Sequence, residues 1–247
     1  MKPESLKTLS HLNSIDVLYH LAGANEGEAE DLIRTNFIGT FNLLRSLENT
    51  SIGKIVFTST YAVYGETGEE PVGEDHPPKP KTPYGLSKLC AEHYCRMWSE
   101  NHGVKMISLR LSSVYGPRKR AGVVYKYLQN ALNHQPLVVY GSGKQTRDFV
   151  YIDDAVGALL LCLNYAPPET QIFNISSGRP IAMLDLISII ETVVGKRIVV
   201  KFRSPPSTEV LTLTSNPERA RRLLGFNPKV SLKQGIARTA EYLKSRD

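Results

Sequence analysis

Asp16-Val17-Leu18-Tyr19-His20-Leu21 runs into Ala22-Gly23-Ala24, an apolar stretch closed by small residues. It reads as a buried strand and the turn that follows it. Working outward, Leu32, Ile33, Phe37, Phe41, Leu44 and Leu47 recur at helical spacing between Glu28 and Leu47. Ile55-Val56-Phe57 then begins a second apolar strand that ends in the polar run Thr58-Ser59-Thr60. A Gly/Pro/Glu-rich loop from Gly65 to Pro83 leads to a helix ending near Asn101, and Met106 to Leu111 reads as a third strand. Strand and helix alternating through short links predict an α/β fold, a Rossmann-like parallel sheet with helices on its faces. Chemistry on such sheets gathers beyond the carboxyl ends of the strands. His20 to Gly23, Thr58 to Thr60 and Ser112-Ser113 fall there.

The grammar changes beyond Gly116-Pro117. Helices are predicted at Val123 to Leu132, from a cap at Asp153 or Asp154 to Leu163, and at Leu184 to Val194, Pro217 to Leu224 and Leu232 to Lys244. Short strands are predicted at Leu137 to Tyr140, Phe173 to Ile175 and Ile198 to Phe202, giving a smaller α+β portion with a linker candidate at Ser204 to Ser207. Lys2 to Asn13 reads as one more short helix.

Pro83-Tyr84-Gly85-Leu86-Ser87-Lys88 carries the chemistry. Residues four apart on a helix lie about 40° from one another, so Tyr84 and Lys88 can act on one small volume. A phenol titrates at about 10, so a tyrosine base at neutral pH needs roughly three units of help, or about 4 kcal/mol. A neighbouring ammonium is expected to supply part of it. Two other Tyr-x-x-x-Lys matches, Tyr115 to Lys119 and Tyr140 to Lys144, are interrupted by Pro117 and by Gly141 with Gly143. The Tyr84 run is amphipathic, with Leu86, Leu89, Cys90, His93 and Met97 on the face opposite Tyr84 and Lys88.

With 247 residues, 41% hydrophobic and 22% charged, the chain has the balance of a soluble globular protein, and it has no apolar run of spanning length. A cytoplasmic location follows as the default. The net charge of +6 is scattered, and its densest cluster, Arg118-Lys119-Arg120, lacks interleaved aromatics, so nucleic acid is not expected as a partner. Cys90, Cys95 and Cys162 lack metal-ligand spacing and read as reduced core thiols.

Taken in order, several stretches resemble one family. They are His20-Leu21-Ala22-Gly23, Thr35-Asn36-Phe37-Ile38-Gly39-Thr40, Thr58 to Gly65, Pro83 to Lys88, Leu109-Arg110 to Pro117, Thr146-Arg147-Asp148-Phe149 to Ala155, and Leu224-Gly225-Phe226-Asn227-Pro228. The chain is similar to extended short-chain dehydrogenase/reductases of the nucleotide-sugar epimerase/dehydratase group, most of all to UDP-glucose 4-epimerases. That resemblance implies an NAD-dependent isomerase that oxidises a UDP-hexose at C4 to a keto sugar and reduces it again from the other face. It implies catalytic Tyr84, Lys88 and Thr60, with Lys88 lowering the tyrosine pKa. It implies an NAD site of His20, Ala22, Gly23, Asn36, Thr58, Ser59, Tyr84, Lys88 and Leu111, where His20 is a buried, hydrogen-bonded imidazole and Asn36 braces the active-site helices. Substrate would be held by Thr60, Ser113, Arg147 and Arg203, with Arg147 on the diphosphate. No metal is implied. A homodimer through the helices of Asn36 and Tyr84 is. The implied division is a truncated NAD-binding domain of residues 1–113 and 148–178 and a substrate-binding portion of 114–147 and 179–247.

Departures from the family pattern matter too. The usual opening strand and Gly-x-x-Gly-x-x-Gly turn have no counterpart, and the match starts roughly sixty residues late on the family's fourth strand. An unpaired strand edge and a partly bare sheet are therefore expected. A cofactor-free homologue that binds a nucleotide sugar or a partner chain without turnover is the alternative reading. Tyr61-Ala62 stand where dehydratases carry Asp-Glu, which disfavours dehydration. Ser113 replaces a common Asn, and Pro206-Ser207-Thr208-Glu209 lacks the second diphosphate arginine, leaving Arg203 as its substitute.

Overall fold

The computed structural model describes residues 12–67, 71–206 and 210–245. The helix read at Lys2 to Asn13 and the Pro206 to Glu209 stretch therefore lie largely outside the described residues. In chain order the elements are β1 (Ser14–His20), α1 (Ala29–Ile33), α2 (Gly39–Ser46), β2 (Ser51–Thr60), α3 (Pro83–Asn101), β3 (Lys105–Leu111), β4 (Ser113–Tyr115), α4 (Val123–Leu132), β5 (Leu137–Tyr140), β6 (Thr146–Tyr151), α5 (Ile152–Asn164), β7 (Gln171–Ile175), β8 (Pro180–Ala182), α6 (Met183–Val194), β9 (Val200–Arg203) and α7 (Leu232–Lys244). π-helical turns occupy Arg34–Ile38 and Ala220–Leu224.

The chain packs into two compact units, residues 1–66, 74–111 and 159–174, and residues 67–73, 112–158 and 175–247. Residues 148–158 group with the second unit rather than the first, because β6 pairs with β4 and β8 and not with the main sheet.

In the first unit the sheet order is β1-β2-β3-β7, with β1–β2 and β2–β3 parallel. β2 continues through the polar Thr58-Ser59-Thr60 run because it stays paired there with Leu109, Arg110 and Leu111 of β3, although its pairing with β1 ends at Phe57. Its core joins Leu43, Leu44 and Leu47 of the α2 segment to Ile55 and Phe57 of β2 and to Ala91, Cys95 and Trp98 of α3. β1 and β7 are the two edge strands of this sheet among the described residues, and Leu160 and Leu163 of the same unit are 61% and 49% exposed. The second unit holds a three-stranded sheet, β4-β6-β8, and a two-stranded one, β5-β9. Its core is built on Leu128, Leu137, Val139, Leu186, Ile190 and Ile236. Among the described residues no helix is long and apolar enough to cross a membrane.

One reading of the helices needs correction. The single helix expected from Glu28 to Leu47 is interrupted at Arg34–Ile38, where one extra residue per turn rotates everything downstream. Leu32, Asn36, Thr40, Leu44 and Leu47 thereby face inward, and Ile33 is 40% exposed. On α3 the buried residues include Lys88, Ala91, Glu92, Cys95, Trp98 and Ser99, and Leu86, Leu89, Cys90, His93 and Met97 lie on the outer side, opposite Lys88. The polar groups win the inner face because they are satisfied there, as described below. Cys95 and Cys162 are buried free thiols, pushed up to about 12 by burial, but Cys90 is half-exposed and not a core residue.

Candidate active site

The start of α3 is fixed by three local devices. Thr82 caps it by accepting from the Gly85 amide at 3.1 Å, and Pro83 sits at the first helical position, where its missing N–H costs nothing. A Cβ on Gly85 would lie 2.6 Å from the Ala62 carbonyl oxygen, so the absence of a side chain lets the helix start press against the turn Tyr61–Val63 just after Thr60. Tyr84 and Thr60 are thereby brought together, and their hydroxyls are hydrogen-bonded.

Burial raises the Tyr84 phenol above its ordinary value, and the hydrogen bond to Thr60 acts against it. Lys88 is not among the groups that shift it. The expected lowering by the ammonium is thus not found in the chain as it stands, because desolvation dominates.

Lys88 is 4% exposed and lies 4.3 Å over the Phe57 ring. Its ammonium has no hydrogen-bond acceptor among the described residues. Burial drives its pKa down to about 8, with Cys95 and Glu92 opposing. A buried ammonium without an acceptor is costly, and such a group persists where something else supplies the oxygen.

Asn36 lies in the π-helical turn, 1% exposed. Its Oδ1 accepts from the Ala24 amide at 2.7 Å, and its Nδ2 donates to Ala24 O at 2.8 Å and to Ser87 Oγ at 2.9 Å. Ser87 Oγ in turn donates to Tyr84 O at 2.8 Å. Asn36 therefore ties the turn after β1 to the first turn of α3. Gly23 is drawn close to this knot: a Cβ there would stand 3.0 Å from Asn36 Oδ1 and 3.6 Å from Lys88 Nζ. His20 is 4% exposed and bonded through Nε2 to Thr40 Oγ1 at 2.8 Å. Burial, and then the Lys88 charge, hold its pKa down to about 4, so it is neutral at pH 7.

The other residues expected to line the cofactor stand at the same strand ends. Thr58 Oγ1 donates to His20 O at 3.3 Å, and Ser59 and Thr60 are in register with Arg110 and Leu111 of β3. Ala22 is exposed just beyond β1.

The sequence reading missed what supports this cluster. Arg110 and Glu92, both 3% exposed, form an ion pair at 2.6 Å, with Glu92 also accepting from Ser108 and Arg110 donating to Tyr64 Oη at 2.9 Å. Burial pushes the Glu92 carboxyl up, but the Arg110 hydrogen bonds and charge hold it below its ordinary range. Spacing could have found it, since Glu92 follows Lys88 by four residues on the same helix face.

The residues expected to hold substrate lie in the second unit. Ser113 is in β4, in register with Phe149 of β6. The Arg147 guanidinium donates to the carbonyls of Thr146 at 2.7 Å and Val210 at 2.8 Å. Arg203 ends β9 opposite Tyr140, on a different sheet from Arg147.

Comparison with known proteins gives a consistent picture. The sequence pattern of the NAD dependent epimerase/dehydratase family matches residues 1–176. A putative UDP-glucose 4-epimerase of Methanocaldococcus jannaschii is 36% identical over 217 residues, 86% of this chain and 70% of the relative. The crystal structure of UDP-glucuronic acid 4-epimerase from Bacillus cereus, bound to UDP-glucuronic acid and NAD, is 30% identical with a TM-score of 0.93, covering 100% of this chain and 81% of that one. UDP-glucose 4-epimerase from Thermotoga maritima, solved with UDP-glucose, is 30% identical with a TM-score of 0.91, covering 99% and 82%.

Proposed function

The chain belongs to the NAD dependent epimerase/dehydratase family, and from that premise we propose that it inverts a nucleotide sugar at C4, with a UDP-hexose of the glucose/galactose type as its substrate. The observation that carries this reading is the hydrogen-bonded Tyr84–Thr60 pair with the acceptor-less Lys88 ammonium one helical turn on. The residues present suit NAD: Lys88 offers a buried donor in need of hydroxyl oxygens such as those of a ribose, and the bare backbone at Gly23 lets a flat ligand approach. His20, Ala22, Asn36, Thr58, Ser59 and Leu111 would complete that side of the site. When bound, NAD supplies a hydride acceptor that later returns the hydride to the sugar carbon.

The chain's own residues handle the proton. Tyr84 Oη takes it from the sugar 4-hydroxyl and gives it back on the second half-reaction, so no net proton is consumed. Thr60 Oγ1 holds the reacting oxygen against the phenol. Lys88 is the counter-charge for the phenolate, and its pKa of about 8 keeps most of it protonated at pH 7. Arg147, with Arg203 as second cation and Ser113, each from a different strand of the chain's second unit, would hold the diphosphate. Dehydration is not proposed, because Tyr61 and Ala62 supply no Asp-Glu carboxyl pair after Thr60. The reading without cofactor is the weaker one, since the family is NAD dependent and the Bacillus cereus relative was solved with NAD.

A homodimer is part of the proposal. Ile33, Ile38, Leu86 and Met97 are 40% to 50% exposed on α1, the π-helical turn and α3, an apolar face of the kind that associating chains cover. Sedimentation at micromolar concentration should give twice the monomer mass, and a monomer would remove this element. A cytoplasmic setting suits the three free thiols.

The central test is direct. Purified chain is denatured and the supernatant assayed for released NAD, and UDP-glucose and UDP-galactose are each assayed for interconversion. Tyr84→Phe should lower kcat by about a thousandfold with its circular dichroism and melting unchanged. Equal activity in that variant refutes the assignment.

A further inference from the structure

His20 is explained by neither proton transfer nor substrate binding, yet it is buried, polar and tied into the knot around Asn36. The direction of its hydrogen bond follows from counting protons. Thr40 Oγ1 lies 2.6 Å from Asn36 O, which can only accept, so the single threonine proton goes there. Thr40 Oγ1 must then accept from His20, and the imidazole proton sits on Nε2. One chain of donors results: His20 to Thr40, Thr40 to the Asn36 carbonyl, Asn36 Nδ2 to Ser87, and Ser87 to the Tyr84 carbonyl. Every hydroxyl in it has its one proton assigned, so no link can turn around without orphaning a buried group. The chain passes through the π-helical turn, the least regular stretch of backbone in this unit, where Asn36 would lose its inward aim if the turn relaxed to an ordinary helix.

We propose that His20, acting through Thr40, is a positioning residue for the Tyr84–Lys88 pair: it pins the π-helical turn so that Asn36 clamps Ala24 and Ser87 and closes the pocket around the lysine. The inference rests on the function proposed above for those two residues, but its consequence for Lys88 can be read without turnover. The His20 imidazole faces the Lys88 charge from α3 and the Phe57 ring at 5.4 Å, and it works as a neutral donor. Removing the Thr40 hydroxyl takes its bond from the Asn36 carbonyl, and removing the His20 donor leaves that hydroxyl unpinned; either change loosens the packing of Gly23 and Asn36 beside Lys88 Nζ. Water then reaches the ammonium.

Lysine labelled with ¹³C at Cε, with the Lys88 resonance assigned from Lys88→Arg, gives the titration directly. The Lys88 midpoint, near 8 in the unaltered chain, should rise by at least about half a pH unit in both His20→Phe and Thr40→Val. Thr40→Ser and His20→Gln, which keep a hydroxyl and an N–H donor, should restore it. In the epimerase assay the first two variants should lose about tenfold in kcat with KM unchanged, and Thr40→Ser should not. A Lys88 midpoint unmoved in Thr40→Val, with only the melting temperature lowered, overturns the inference. Should His20→Phe not fold, the Thr40 pair carries the test. Absence of turnover in the unaltered chain counts against the proposed function and leaves the titration to decide this point.

Discussion

Residues 1–66, 74–111 and 159–174 hold 11 Lys and Arg against 13 Asp and Glu, whereas residues 67–73, 112–158 and 175–247 hold 19 against 11. The charges also stand differently toward water. In the first unit Lys88, Glu92 and Arg110 are all under 5% exposed, and their proton affinities are displaced from ordinary values. In the second, Arg118, Arg120, Lys201 and Arg203 are exposed. Desolvated groups close to their partners are what proton transfer needs. Exposed excess charge draws an anionic ligand in and does little to a pKa. The first unit thus holds its charges dry and the second leaves them in water, and that contrast can be broken by substitution.

The largest effect is expected at the Glu92–Arg110 pair. Arg110→Met leaves a buried carboxylate without its partner and should lower unfolding free energy by about 3–5 kcal/mol, measured by urea denaturation. A loss under about 1 kcal/mol would mean that water reaches Glu92 and that the first unit is not the dry one.

Next is Lys88→Met. The folded pKa lies below the value in the unfolded chain, so the buried ammonium costs stability below pH 8, and stability rises between about 8 and 10.5 as both states lose the proton. Removing the charge should stabilise the fold at pH 7 by about 3 kcal/mol and abolish that rise, even as it abolishes epimerisation. A variant that is both inactive and less stable would contradict the burial argument. His20 acts in the same sense at lower pH: its folded pKa of about 4 lies below 6.5, so the unfolded chain binds more protons between those values and stability should fall as pH drops through them.

The smallest effect belongs to the second unit. Arg147→Lys keeps the charge but loses the fork geometry, and should raise KM for a nucleotide sugar about tenfold, or about 1.4 kcal/mol, with little change in kcat. A fall in kcat with KM unchanged would remove Arg147 from the proposed diphosphate site.

Much of this was legible in the linear chain. Strand–helix alternation places Ser14–His20, Ser51–Thr60 and Lys105–Leu111 in one sheet, because apolar runs of that length between helices have few other ways to be covered. Tyr84 and Lys88 were found because helical spacing alone makes them neighbours. Glu92 on the inward face of α3 went unread, since the Arg110 and Ser108 that make a carboxylate acceptable inside come from a different element. The three-residue strands β4 and β8 carry too few residues to show a period.

By itself, then, the sequence determined the sheet, the helix that carries Tyr84 and Lys88, and the family's ordered motifs, all of which depend on local spacing. The tertiary structure alone decided the π-helical turn, the neutral His20, the raised phenol and the lysine at about 8. These depend on how much water is excluded and on which distant groups meet, as when Asn36 finds Ser87 across 51 positions of chain. No local pattern encodes either quantity, because both arise only once separate elements share an interior.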